Sequence, residues 1–130
     1  MIGIVLDAAA LIALERNDRS IWAALKLAVA QGSDVIVPST ALAQVWRGTG
    51  AQAQLAKALP FCVIATFDPV ARNVGELCGR SRTNDICDAH VALIASRHGE
   101  FLYTSDVPDM RRLLATCGDR AAGRGGGSNG

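Results

Sequence analysis

The stretch Ile2-Gly3-Ile4-Val5-Leu6-Asp7 opens the chain with consecutive apolar residues and ends on a carboxylate. Because residues 2–6 are apolar at every position, they are typical of a strand that is buried on both faces of a parallel sheet. An acidic residue directly after such a strand lies at its carboxyl end, where open α/β sheets bind their ligands. The stretch therefore predicts an α/β fold and a candidate site at Asp7.

The rest of the chain continues this alternation of strands and helices. Further strands are predicted at 35–37, 61–65 and 101–104. Helices are predicted at about 8–16, 20–31, 40–47, 51–58, 68–79, 85–97 and 106–115, with Asp18 or Ser20, Ser39 or Thr40, and Thr83 or Asn84 as caps. The pattern indicates an α/β fold with a mainly parallel sheet of about four strands flanked by helices.

Length and composition are those of one globular domain. The chain has 130 residues, half of them hydrophobic, and we assign the domain to residues 1–117. The glycine-rich segment 118–130 is expected to be a disordered tail. No apolar run reaches the ~18 residues that a membrane span needs. The amino terminus lacks the pattern of a secretory signal, so we expect a cytoplasmic protein without membrane contact.

Charge and cysteine content carry little functional information. The net charge of +1 provides no global attraction for nucleic acid. The four cysteines, Cys62, Cys78, Cys87 and Cys117, lack the spacing of zinc ligands. They are best explained as small buried thiols in a reducing cytoplasm.

Two further aspartates accompany Asp7. Asp88 lies in the helical stretch Asp85-Ile86-Cys87-Asp88, and Asp106 ends the run that begins at Phe101. Clustered carboxylates at strand ends hold Mg²⁺ or Mn²⁺. Each residue also has an ordinary alternative, since an aspartate after a strand commonly caps a helix. Asp85 shares a helix face with Asp88, but it is equally explained as a first-turn partner of the helix dipole.

Four segments in this order resemble the PIN domain, and within it the VapC-type toxins of bacterial toxin–antitoxin pairs. They are Val5–Leu14, Val37–Gly48, Asp85–Leu93 and Leu102–Asp106. The resemblance covers about residues 2–115 and implies a three-layer PIN-like fold. It implies a ribonuclease that depends on Mg²⁺ or Mn²⁺, an antitoxin partner and a homodimer.

The resemblance also implies the site residues. Its acidic positions fall on Asp7, Gln44, Asp88 and Asp106, of which the three aspartates would hold the metal. Thr104 or Ser105 would orient a carboxylate or a water. Two departures weaken this expectation: position 44 holds an uncharged amide where the family has a glutamate, and no final apolar strand follows the last helix.

Arginines near the acidic residues are the expected RNA contacts, since guanidinium groups bind phosphates. The candidates are Arg16, Arg47, Arg80, Arg82, Arg111 and Arg112. Taken singly, each is better explained as a solvated surface charge. Trp22 and Trp46 fit core or interface positions better than base stacking, and His90 fits a packing role.

Three functions are compatible with these residues. The first is an endoribonuclease toxin, attenuated by Gln44. The second is a PIN-fold module that binds antitoxin or RNA without turnover. The third, a signalling receiver domain, lacks its acidic pair after the first strand and its late lysine, since no lysine follows Lys57.

Overall fold

The computed structural model describes residues 3–98, 101–103 and 110–117. The strands are β1 (Ile4–Leu6), β2 (Val35–Pro38), β3 (Val63–Ala65) and β4 (Phe101–Tyr103). The helices are α1 (Ala8–Glu15), α2 (Arg19–Ala30), α3 (Ser39–Val45), α4 (Ala53–Ala58), α5 (Ala71–Ser81), α6 (Ile86–His98) and α7 (110–117). The predicted α/β class is confirmed, while the PIN-like arrangement stays a prediction.

The four strands form one parallel sheet in the order β3-β2-β1-β4. Val5 of β1 pairs with Ile36 on one side and with Leu102 on the other. Val5 and Leu6 are completely buried, as expected for an interior strand of a parallel sheet. Because all four strands run in the same direction, their carboxyl ends lie along one edge of the sheet.

Helices α1, α3 and α6 position the residues at that edge. Leu11 and Leu14 of α1, Ala41 of α3 and Ala89 of α6 are fully buried in one apolar core. Helix α6 contacts β1, β2 and α3. Small residues such as Ala41 and Ala89 fit this interface because they let helices approach closely.

Local differences from the sequence prediction arise at helix and strand ends. Phe61 was expected to open a strand, but Leu59–Phe61 forms a 3₁₀ turn and β3 begins at Val63. Pro38 precedes α3 and no side chain caps this helix, although Ser39 or Thr40 was expected to do so. Asp18 caps α2 as predicted, accepting from the backbone N–H of Ser20 at 2.8 Å.

Several predictions fall on residues outside the described ranges. They concern Thr104, Ser105, Asp106 and the glycine-rich segment 118–130. Among the helices that the structure describes, none combines the length and apolar character that crossing a bilayer requires.

Arg82, which follows α5, has a left-handed backbone with φ of 57°. This conformation is strained for a residue with a Cβ and free of strain for glycine. We predict that Arg82→Gly raises the free energy of unfolding by about 0.5–1 kcal/mol. Arg80→Gly, inside the same helix, is the control and should lower it by about 0.5–1 kcal/mol. Urea unfolding of both variants measures the difference, and equal destabilisation by both would contradict the prediction.

Candidate active site

Asp7 is the first residue after β1 and the N-cap of α1. Its side chain is only 3% exposed, and its Oδ1 accepts a hydrogen bond from the backbone N–H of Ala10 at 2.9 Å. Aspartate favours this position because its carboxylate satisfies a helix N–H that has no partner within the helix. The capping bond therefore holds the Asp7 carboxylate in a defined orientation at the carboxyl edge of the sheet.

Strand β4 ends beside β1, with Tyr103 paired to Leu6. Leu6 and Tyr103 thus end their two neighbouring strands side by side at the same edge of the sheet. Asp106 comes three residues after Tyr103 and lies outside the described residues. Its convergence with Asp7 stays a prediction, supported by the pairing of the two strands.

Asp85 and Asp88 have different roles at the start of α6. The Oδ1 of Asp85 accepts from the backbone N–H of Asp88 at 2.9 Å, and the hydroxyl of Thr83 accepts from the N–H of Asp85 at 3.1 Å. Asp85 is exposed and acts as the helix cap, which favours its structural interpretation. Asp88 is half-buried in the first turn of α6, and its side chain is the better candidate ligand.

Thr40 connects the start of α6 to the sheet edge. Its hydroxyl lies 2.7 Å from Nδ1 of His90, and its carbonyl accepts from the Cys87 thiol at 3.6 Å. Thr40 follows Pro38, the last residue of β2, by two positions. The first turn of α6, which contains Asp88, therefore lies at the carboxyl edge where Asp7 is found.

The pKa values of nearby thiols report the electrostatics of this region. Burial raises the pKa of Cys87, and the nearby carboxylates of Asp85 and Asp88 raise it further. Burial alone raises the pKa of Cys62 to about 11. All four cysteines are free, half-buried thiols, and the negative field at Cys87 is of the sign that attracts a cation.

Gln44 lies exposed on α3, one turn after Thr40. It lines a cleft together with Ala8, the residue next to Asp7. Asp7, Asp88 and the amide of Gln44 are hard oxygen donors of the kind that Mg²⁺ prefers. Among the described residues, no three histidine, cysteine, aspartate or glutamate side chains form a metal-binding group. Position 44 is an amide, and Asp106 lies outside the described residues.

Gln52 is a site residue that the sequence prediction missed. Its side chain is 5% exposed, and Nε2 donates to Oε1 of Glu15 and to the carbonyl of Val45, both at 2.8 Å. Its Oε1 accepts from the backbone N–H of Arg47 at 2.7 Å and of Gly48 at 3.1 Å. These four bonds fix the turn that follows α3. An isolated glutamine among alanines has no periodicity that could have identified it.

The six candidate arginines are all exposed. Arg47 lines the cleft beside Gln44, and its guanidinium donates to the carbonyls of Trp46 at 2.8 Å and Ala43 at 3.3 Å. Arg80 and Arg82 precede α6, near Asp88 in the chain. Arg16 follows the last turn of α1, at the opposite end of that helix from Asp7.

The two tryptophans differ in burial. Trp22 packs against the core and donates from Nε1 to the carbonyl of Leu14 at 3.2 Å, which confirms the core interpretation for this residue. Trp46 is 38% exposed beside the cleft residue Arg47. It therefore remains available as a contact for a partner.

No protein-family model matches the sequence, and no curated protein is detectably similar to it.

The network of Gln52 yields a stability prediction. Gln52→Ala removes four hydrogen bonds and leaves buried backbone groups without partners, so the free energy of unfolding should fall by about 2–3 kcal/mol. Gln54→Ala, on the same segment, is the control and should change it by less than about 0.5 kcal/mol. Urea denaturation measures both, and similar losses for the two variants would contradict this role for Gln52.

The buried ring of His90 yields a pH prediction. Burial lowers the pKa of His90, and the backbone carbonyl of Thr66, which accepts from the ring, opposes that shift only in part. Within the described chain, Nε2 has no hydrogen-bond partner of good geometry. The unfolded state therefore binds a proton more readily, and this residue makes stability decrease as pH falls below about 6.5.

His90→Asn retains a polar atom near Nδ1 for Thr40 and does not titrate. We predict that the variant loses part of the decrease in unfolding free energy between pH 7.5 and pH 5.5. Urea unfolding at a series of pH values in that range tests this. An identical pH dependence in both proteins would show that His90 does not contribute to it.

Proposed function

We propose that this protein is a metal-dependent endoribonuclease of the PIN type, acting as the toxin of a VapBC-like toxin–antitoxin pair. The observation that carries the proposal is the common location of Asp7 and the first turn of α6. Asp7 is buried and oriented at the end of β1, and Thr40 ties the turn that contains Asp88 to the same sheet edge. Such an edge is where α/β proteins perform chemistry.

In this proposal Asp7, Asp88 and Asp106 hold Mg²⁺ or Mn²⁺. A metal held by these residues would supply neutralisation of phosphate charge and activation of water. The capping bond from Ala10 keeps the Asp7 carboxylate oriented toward the edge, and the turn held by Thr40 keeps Asp88 near it. Arg47, Arg80 and Arg82 would bind phosphates of the RNA on either side.

Gln44 supports the alternative function, a PIN-fold module that binds antitoxin or RNA without turnover. Its amide oxygen can reach a metal or a metal-bound water, but it contributes no negative charge. A site with one carboxylate fewer binds the cation more weakly. We therefore propose attenuated catalysis, with the loss located at position 44.

Exposed apolar side chains support a protein partner, which we propose to be the antitoxin. The exposed side chains of Val29 and Phe61 line a cleft of about 250 Å³ beside α2, together with the half-buried Trp22. Phe61, in the turn before β3, is 57% exposed, and Val63, on the edge strand β3, is 52% exposed. Apolar patches of this kind commonly mark protein interfaces. A homodimer in the reducing cytoplasm is part of the same proposal.

Asp7→Asn tests the metal site without removing the helix cap, because asparagine caps helices as well as aspartate does. We predict that Mg²⁺- or Mn²⁺-dependent RNA cleavage falls at least about 100-fold, since even outer partners of metal ligands contribute up to that much. Asp34→Asn, exposed before β2 at the opposite edge, should cleave normally. Unchanged cleavage in Asp7→Asn would refute the mechanism.

Gln44→Glu distinguishes attenuated catalysis from a binding module. Restoring the carboxylate should increase cleavage at low Mg²⁺ and lower the Mg²⁺ concentration needed for half-maximal rate by about tenfold. Gln31→Glu, exposed at the end of α2, adds the same charge elsewhere and should have no effect. If the wild-type protein does not cleave RNA and Gln44→Glu does not cleave it either, the missing carboxylate at position 44 is not the cause of the inactivity.

A further inference from the structure

The cleft that contains Gln44 has a volume of about 470 Å³ and lies between α1 and the segment that follows α3. Its polar lining residues include Glu15, Gln44 and Arg47. Ile12 and Val45 form an apolar part of its wall. We propose that this cleft binds an unpaired guanine base of the RNA substrate. The inference rests on the proposed function and names the base that would lie beside the cleaved phosphate.

Glu15 is the residue that would select guanine. It is half-buried on the last turn of α1, and its Oε1 accepts from Nε2 of Gln52 at 2.8 Å. Because Gln52 is itself held by three other bonds, the Glu15 carboxylate has a defined position. A carboxylate accepts about four hydrogen bonds, so acceptor capacity remains.

Guanine is the base whose edge complements such a carboxylate. Its Watson–Crick edge presents two adjacent donors, N1–H and the N2 amino group, whereas adenine, cytosine and uracil each present at most one donor group there, flanked by acceptors. Unpaired RNA bases are read on this edge by side chains. A carboxylate that receives both donors therefore prefers guanine, and the amide of Gln44 can donate or accept at the same cleft.

The charges of the cleft favour a base over a cationic protein group. A guanidinium from a protein partner would also present two donors to Glu15. Arg47 also lines this cleft, and its guanidinium is held nearby by the carbonyls of Ala43 and Trp46. It repels an incoming cation and attracts the phosphate that accompanies a neutral base.

The cleft also runs in the direction that a bound nucleotide requires. Ala8 and Glu15 both line it and are seven residues apart on α1, a distance of about 10 Å along the helix axis. Ala8 adjoins Asp7, so the cleft extends from the candidate metal site to Glu15. A nucleotide with its base edge at Glu15 would direct its phosphate toward Asp7.

The test uses the full chain and guanosine, inosine and adenosine monophosphates, in EDTA so that no cleavage occurs. Nuclear magnetic resonance should show shifts of the Ala51 and Gln52 amides, with guanosine monophosphate binding at least about tenfold more tightly than adenosine monophosphate. Inosine monophosphate, which lacks the N2 amino group, should bind with intermediate affinity. Equal affinities, or no shifts at these amides, would overturn the inference.

Glu15→Gln is the matched variant. It retains an oxygen that can accept from Gln52, but it presents an amino group to the guanine donors. The preference for guanosine monophosphate should disappear, while the amide spectrum of the free protein shows that the fold is kept. Glu76→Gln, exposed on α5, should retain the preference. A guanine preference that survives in Glu15→Gln would reject this assignment.

Cleavage of guanine-containing and guanine-free RNA separates this inference from the proposed function. Guanine-selective binding without cleavage would leave the cleft assignment standing and refute the nuclease. Equal cleavage of both RNAs, without selective binding, would refute the cleft assignment and leave the nuclease standing.

Discussion

The parallel pairing of β1 with both β2 and β4 is the constraint on which the rest of the structure depends. Val5 lies opposite Ile36 on one side and Leu102 on the other, and it is completely buried. A shift of one residue would turn every side chain of β1 to the opposite face of the sheet. Because the register is held from both sides, Asp7 and the start of α3 lie at the same edge.

A polar contact between Thr40 and His90 connects that edge of the sheet to α6. The His90 ring is fully buried and packs edge-on against Phe67, with 5.3 Å between ring centroids. Its Nδ1 lies 2.7 Å from the hydroxyl of Thr40. A polar contact inside an apolar interface is costly to break, so it specifies one position of α6 against α3. The first turn of α6, with its carboxylates, follows from that position.

Much of this arrangement could be predicted from the sequence. Strands and helices were located because apolar runs are bounded by residues such as Pro38, Pro60 and Asp18 that have strong local preferences. Phe61 misled the prediction because an aromatic residue favours strands, while the backbone continues the helical turn begun by α4. The edge that contains Asp7 was also predictable, since it requires only parallel strands.

The contacts that assemble the site were not predictable in the same way. Thr40 and His90 are separated by 50 residues, and Glu15 and Gln52 by 37. Neither pair has a local pattern, because each depends on how two helices pack. The role of Asp85 was also ambiguous from the sequence. An aspartate at the start of a helix can cap the helix or bind a metal, and both roles use the same residue at the same position.

The most direct test of the central claim is paramagnetic nuclear magnetic resonance with Mn²⁺, which broadens the signals of amides close to the ion. If Asp7 and Asp88 share one metal, substoichiometric Mn²⁺ should broaden the amides of Ala8 and Ala89 together. The amide of Asp34, at the opposite edge of the sheet, should stay sharp. Broadening of only one of the two amides, or of neither, would contradict a shared metal site.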